Sequence, residues 1–266
     1  MRGASGNAAG VRDEPPYATT LSRGIDVLAC FSAHEPVLGN HVLAERTGLS
    51  RSAVARLIHT LLTLGYLQRD VASRRYRLGA SVLTLAHPLL ASMRIRQVAR
   101  PAMKRLAVHA NGAISLVMRD RTQMLFVESA RSNEALQTRP DIGAALPMLT
   151  SAAGRAWLCR VPEALREEAL NRLRVADPEH YARHIASLKQ AQRDMASRGF
   201  CGNDGAWRPD AYGFAVAMSQ PVDAQWLVFN CGVPAEDGPY ASRADDIGPR
   251  LVEMVRDIEG VLGMRG

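Results

Sequence analysis

The stretch from Gly39 to Leu61 leaves this chain few ways to fold. Asn40 stands where a helix start needs a capping acceptor, Val42 and Leu43 supply an apolar face with the stem of Arg46 beside it, and Gly48 supplies a left-handed stop. Ser50 then offers its hydroxyl to a further helix start, and Val54, Leu57, Ile58 and Leu61 recur at i, i+3, i+4 and i+7. That stripe must face other helices. The opposite face therefore presents Arg51, Ser52, Ala55, Arg56 and His59, small residues and forked donors in place of the usual glutamate and lysine mixture. Two helices about a glycine-containing turn, the second small and basic on its free side, make a helix-turn-helix whose second helix enters the DNA major groove.

The flanks extend this pattern. Upstream, Leu21, Ile25, Leu28 and Ala29 predict a first amphipathic helix that ends before Pro36. Downstream, Gly65 ends the recognition helix, and Tyr66 to Arg69 and Arg75 to Leu78 predict two strands around an Asp70 to Arg74 turn. Arg69, Arg74, Arg75 and Arg77 lie on or beside this hairpin, placing a basic wing against sugar-phosphate backbone or minor groove. The charge distribution agrees. The chain carries a formal +7, and residues 21–99 hold ten arginines against four acidic residues, so most of the excess sits in one segment. A concentrated positive field on a globular protein selects a polyanion, because neutralised phosphates release condensed counterions.

Several classes are excluded. At 266 residues with 47% apolar and 22% charged composition, the chain is globular, and single cores seldom grow past about 250 residues. No run of about 18 uncharged apolar residues predicts a membrane span, and the first twenty residues lack the apolar core of a secretory signal, so the expected location is the cytoplasm. Cys30, Cys159, Cys201 and Cys231 form no Cys-x-x-Cys pair, and His180 and His184, although one helical turn apart, have no carboxylate or thiol at an adjoining ligand spacing. Neither a metal site nor a cofactor is expected. No Gly-x-Ser-x-Gly elbow, phosphate loop or His-Glu-x-x-His run is present either, so an enzyme is not expected.

Beyond residue 99 helical and alternating patterns mix. A helix over Pro101–Ala110 precedes strands over Ala113–Arg119 and Gln123–Ser129, with Asp120 to Thr122 as their turn, and a further strand over Ala135–Arg139. Thr150 or Ser151 caps a helix whose first turn, Ala152, Ala153 and Gly154, has almost no side chain to shield its orphan N–H groups, and such ends suit anions. Helices over Glu163–Leu173 and His180–Arg198 follow. Strands over Gly213–Ser219 and Gln225–Cys231 flank a Val222 to Ala224 turn, and a closing helix runs over Arg243–Leu262. Helices flanking an antiparallel sheet make an α+β domain.

The runs Ser22-Arg23-Gly24-Ile25-Asp26-Val27-Leu28, Leu43 to Leu57, Leu61 to Leu67 and Tyr76-Arg77-Leu78-Gly79 resemble the IclR family of bacterial transcriptional regulators. Ala80 to Arg96 resembles that family's linker helix, with Pro88 as a departure, and Leu146 to Leu158 resembles the signature segment of its effector domain, where backbone donors hold a ligand carboxylate. Ser197 to Phe200, Gly213 to Val222 and Phe229 to Gly232 fit later family segments. The resemblance implies a tail over 1–18, a winged helix-turn-helix over 19–79, a linker helix over 80–98 and a GAF-like effector domain over 99–266. It implies cavity walls from Leu146, Met148, Ala152, Ala153, Asn203, Val216, Phe229 and Cys231. The segment from Asn203 and Asp204 to Pro209 departs from the family pattern, and there Trp207 and Arg208 offer either a stacking ring and a carboxylate fork or a plain surface turn.

The function expected is that of a one-component regulator. Ser50, Arg51, Ser52, Ala55, Arg56, His59 and the wing arginines meet operator DNA, while the second domain binds a small organic acid, aromatic or short aliphatic. The resemblance implies a homodimer or dimer of dimers on palindromic half-sites. The alternatives are a small-carboxylate enzyme fused to an autoregulatory DNA-binding module, and a structural nucleoid protein without sequence preference.

Overall fold

The computed structural model describes residues 17–133 and 141–264; the first sixteen residues of the expected tail and the strand expected over Ala135–Arg139 lie outside the described residues. The chain divides between Ser92 and Met93 into two compact units.

In the first unit α1 (Thr19–Ala29), α2 (Asn40–Thr47) and α3 (Arg51–Thr63) precede a hairpin of β1 (Leu67–Arg69) and β2 (Tyr76–Leu78). Gly48 takes φ +67° to stop α2, and the Ser50 hydroxyl accepts the Ala53 N–H at 3.2 Å to start α3. Val27, Leu38, Leu43, Val54, Ile58, Leu61 and Leu67 form the core. The stripe expected on α1 is corrected: Val27 is the buried residue and Leu28 is half-buried, whereas Leu21 and Ile25 remain 66% and 55% exposed. Helix α1 packs against α3 and α2, and its Leu21 and Ile25 side meets neither.

The single linker helix expected over 80–98 is two helices, α4 (Ser81–Ser92) and α5 (Arg94–His109), separated at Met93 by a non-helical backbone. Pro88 lies inside α4 without ending it. A proline frees the carbonyl four residues before it. Helix α4 has no buried residue.

The second unit is built on six antiparallel strands in the order β5-β4-β3-β8-β7-β6. These are β3 (Ala113–Asp120), β4 (Gln123–Arg131), β5 (Ala145–Pro147), β6 (Cys201–Asp204), β7 (Ala211–Ala217) and β8 (Leu227–Pro234). Between β5 and β6 come α6 (Ala152–Arg160), α7 (Glu163–Ala176), α8 (Pro178–His184) and α9 (Ser187–Arg198); α10 (Tyr240–Val261) closes the chain. The helix expected over His180–Arg198 is thus α8 and α9. Asp177 caps α8 by accepting the His180 N–H at 2.9 Å, which draws its start back to Pro178, and the helix ends at His184.

Helix α6 packs on one face of the sheet, against Val117, Phe126, Ala215 and Val228. Phe214 points to the other face, its ring stacked on Tyr240 of α10 at 5.6 Å. On that same face Glu128, 3% exposed, accepts Arg96 at 3.1 Å and Arg100 at 2.7 Å, fastening α5 to β4. The result is an α+β fold in which α6 lies on one side of the sheet and α5 and α10 on the other.

Candidate nucleic-acid interface and ligand cavity

On α3 the burial of Val54, Ile58 and Leu61 turns Arg51, Ser52, Ala55, Arg56 and His59 outward, and all five are exposed, as is Ser50. No acidic side chain lies on this helix. Arg51 is steered by its neighbours: its Nη2 lies 3.3 Å from His41 Nδ1 of α2, and its carbonyl accepts Asn40 Nδ2 at 3.4 Å.

The four wing arginines are also exposed, but they are not equivalent. Arg77 is ion-paired with Asp70, whose carboxyl is held below its ordinary value first by the Ser73 hydroxyl and then by the Ser73 backbone and Arg77. Arg69 lies over the Tyr76 ring at 5.8 Å. Arg74 sits at the tip of the turn with φ +56°, a left-handed position that Asn or Gly usually takes. Arg75 lies against the start of α2, its Cγ 3.9 Å from where a Cβ on Gly39 would stand.

The second unit contains a cavity of about 380 Å³ between the α6 face of the sheet and the loop after β6. Its floor follows from strand register. Ala113, Gly232 and Gly213 pair in one cross-strand row, Ser115, Asn230 and Ala215 in the next, and paired residues of an antiparallel sheet share a face. Ser115 Oγ reaches Ser129 Oγ at 3.3 Å. Asn230 is 9% exposed, and its side-chain amide makes no hydrogen bond among the described residues.

One wall is the start of α6. Ser151 Oγ accepts the Gly154 N–H at 3.1 Å and donates to the Pro147 carbonyl at 2.6 Å, so the third helical N–H is already satisfied. The N–H groups of Ala152 and Ala153 have no acceptor within the helix. Gly154 serves packing instead: a Cβ there would stand 2.2 Å from the Met148 carbonyl oxygen. The opposite wall is the loop after β6, pinned by Asn203, whose Nδ2 donates to the Thr150 carbonyl at 2.9 Å and whose Oδ1 accepts the Ala206 N–H at 2.8 Å.

Leu146, Ala152, Asn203, Trp207 and Arg208 line this cavity. The guanidinium of Arg208 is forked onto Asp210, with Nε 3.0 Å from Oδ1, so its charge is already matched. Met148 belongs to a neighbouring depression, Ala153 is fully buried and Asp204 is exposed. Val216, Phe229 and Cys231 do not line the cavity, which corrects their expected place. Val216 pairs with Phe229 and Cys231 with Phe214, so all three project toward the face covered by α5 and α10. A strand shifts its side chains to the other face with every residue, and parity cannot be read from one strand alone.

Residues missed by sequence reasoning include Ser115, Asn230, Asp210, Glu236 and Asp237. Asn230 carried a signal: a lone amide inside the apolar run Leu227 to Val233. Among the described residues no group of three His, Cys, Asp or Glu is placed to hold a metal ion, and no helix is long and apolar enough to cross a membrane.

Two family models match the chain: the IclR helix-turn-helix domain over residues 20–71, and the bacterial transcriptional regulator IclR C-terminal domain over residues 87–198. The HTH-type transcriptional regulator TsaQ1/TsaQ2 of Comamonas testosteroni is 31% identical over 242 residues, 90% of this chain and 87% of that one. A crystal structure of an IclR family transcriptional regulator from Brucella abortus is 39% identical and superposes with a TM-score of 0.82, covering 95% of this chain and 96% of the other. An IclR homolog of Microbacterium hydrocarbonoxydans, crystallised with 4-hydroxybenzoate, shares the fold at 22% identity, with a TM-score of 0.68 over 91% of this chain and 99% of that one.

Proposed function

The chain belongs to the IclR family of bacterial transcriptional regulators, and we propose that it binds operator DNA through α3 and the wing and changes that binding when a small organic acid occupies the cavity. The family is one of regulators and not of enzymes. A reader of chromosomal DNA works in the cytoplasm.

The observation that carries the DNA reading is the outward face of α3, where Arg51, Ser52, Ala55, Arg56 and His59 stand together without a carboxylate. Arg51 and Arg56 are the base-reading residues, with Ser50 and Ser52 at the helix start, where N-terminal residues of a recognition helix meet base edges. Arg69, Arg74 and Arg75 position the wing on phosphate. Arg77 holds the wing turn through Asp70.

The ligand reading rests on the cavity. A carboxylate fits the Ala152 N–H at the α6 start, with the Asn230 amide as a further donor and Trp207 as an apolar wall. The rim carries Asp210, Glu236 and Asp237 against Arg208 alone, so it repels a second negative charge. A monocarboxylate, aromatic or short aliphatic, with a hydroxyl at its far end satisfies both ends. Ligand and DNA are coupled when the ligand favours one DNA-competence state by typically 1–3 kcal/mol.

A homodimer, alone or paired into a tetramer, is supported by α4, which has no buried residue and leaves Leu83, Leu85 and Leu89 exposed, together with Leu21 and Ile25 on α1. Apolar surface on this scale marks an interaction site.

The deciding measurement is fluorescence anisotropy at fixed physiological salt on DNA from upstream of the protein's own gene and on scrambled DNA, with a panel of acids that begins with 4-hydroxybenzoate. A preference of roughly a thousandfold or more for the native DNA, shifted by one acid, is the expected result. Equal affinity for both DNAs, unmoved by every acid, would overturn it in favour of a structural nucleoid role.

A further inference from the structure

The floor of the cavity has a direction, set by β8. A Cβ on Gly213 would stand 3.6 Å from the Ala152 Cβ, so the start of α6 lies over the row in which Gly213 pairs with Gly232. Residues two apart on a strand share a face and stand about 7 Å from each other. Asn230 therefore lies on one side of this row and Pro234 on the other, and both line the cavity. Beyond Pro234 the chain turns into a short 3₁₀ segment, Ala235–Asp237, which brings Glu236 to the mouth.

Three carboxylates border that mouth, and two are already engaged. Asp210 is forked by Arg208, and Asp237 accepts Asn111 Nδ2 at 3.0 Å. Glu236 makes no hydrogen bond or ion pair among the described residues. Its backbone is held on both sides all the same. Before it, the Ala235 N–H donates to the Asp210 carbonyl at 3.0 Å, and after it Asp237 is tied to Asn111. Arg243 of α10 donates to the Ala110 carbonyl and does not line the cavity. At the deep end stands the Asn230 amide, 9% exposed and likewise without a partner. The two ends of the floor thus carry polar groups whose hydrogen bonds are unspent, with the glycine row between them.

We propose that Glu236 is the specificity-determining residue of this cavity, reading the group that a ligand carries opposite its own carboxylate. The inference rests on the reading of the cavity as an acid site and adds what selects the ligand's other end. A carboxylate placed between the Ala152 N–H and the Asn230 amide points a single ring along β8 toward the mouth, where its para substituent meets Glu236. A hydroxyl there donates to the carboxylate, and an ammonium adds opposite charge to the same contact. A second carboxylate meets like charge and is refused. The ligand class is therefore a carboxylate with a hydrogen-bond donor one ring away, amino acids of that shape included.

The test is calorimetric titration of the full chain, without DNA, at pH 7 and fixed salt. The probes are benzoate, 4-hydroxybenzoate, 4-(aminomethyl)benzoate and terephthalate, each on the parent chain and on Glu236→Gln. The effect of the substitution should follow the charge of the para group. Affinity should fall roughly tenfold for the ammonium and about threefold for the hydroxyl, stay within about twofold for benzoate, and rise about threefold for terephthalate. Glu236→Lys should reverse the order and bind terephthalate more tightly than benzoate. A merely structural role would change all four acids by the same factor, and that result would overturn the proposal, as would no change in any of them. Parent chain that binds benzoate while Glu236 discriminates nothing sinks this proposal alone. Parent chain and both variants that bind none of the four acids sink the acid-site reading together with it. Glu236 is exposed, so equal melting temperatures of parent and variants are the expected control.

Discussion

Asn203 reaches across 53 positions of sequence to donate its side-chain amide to the Thr150 carbonyl at 2.9 Å, joining the loop after β6 to the residue before the α6 cap. That bond sets the distance between two cavity walls, and the other end of the same amide orders the loop by accepting the Ala206 N–H. Asn203→Ala should lower stability by about 1–3 kcal/mol, because it leaves buried partners unsatisfied. Urea unfolding of the variant reads this, and a loss of acid response beyond the stability change would place the bond in ligand binding as well.

Two glycines separate packing from occupancy. A Cβ on Gly154 meets the Met148 backbone at 2.2 Å, so Gly154→Ala should cost about 1–3 kcal/mol in a thermal melt. A Cβ on Gly232 meets nothing within 4 Å and stands on the cavity floor. Gly232→Val should therefore keep the melting temperature and the affinity for native DNA while losing the shift produced by the acid. Retention of that shift would move the ligand elsewhere.

The recognition helix and the wing should fail differently. If Arg51 forks onto a base, Arg51→Ala costs about 1–3 kcal/mol on the native operator and relaxes one base position. Arg74→Ala should weaken native and scrambled DNA alike and reduce the salt slope by about one. Anisotropy titrations across a salt series distinguish them, and an equal loss on both DNAs for Arg51→Ala would remove it from base reading.

Acid sensitivity has a local contributor. Asp246 of α10 bonds to Arg250 and reaches His109 of α5 at 3.0 Å, and its carboxyl is held below the ordinary 3.8, first by Arg250 and then by His109. A depressed folded-state value contributes stability above the unfolded value, and that contribution is lost as pH falls through the folded one. Asp246→Asn should thus lower the melting temperature near pH 6, with the difference from the parent chain narrowing below about pH 4. A difference that widens toward acid would reverse the assignment.

Much of the DNA-binding unit was legible in the residues because its decisive relations are short. The Ser50 cap, the Val54, Ile58 and Leu61 stripe and the Gly48 stop each lie within about two helical turns of their partners, so periodicity and capping chemistry specify them. The same reasoning overreached on α1, where Leu21 and Ile25 carry helical spacing and yet stay exposed among the described residues. Periodicity names an apolar face. It does not name what covers it.

The sequence by itself determined the three helices and hairpin of the first unit, the strands β3, β4, β7 and β8 of the second, the basic outward face of α3, and the small-residue helix start at Ala152 that walls the cavity. Tertiary structure alone decided which strand face the cavity takes. Phe229 and Cys231 lie one position either side of Asn230, and cross-strand pairing with Ser115 and Ala215 selects the amide for the α6 side. A bulge between Leu116 and Val117 fixes where β4 stands in that register. Side-chain alternation repeats every two residues, so the pattern of a single strand fits either face equally, and only the helices packed against the sheet break the tie. The contacts of Arg208 with Asp210 two residues on and of Arg155 with Gly202 depend likewise on where loops and helices come to rest.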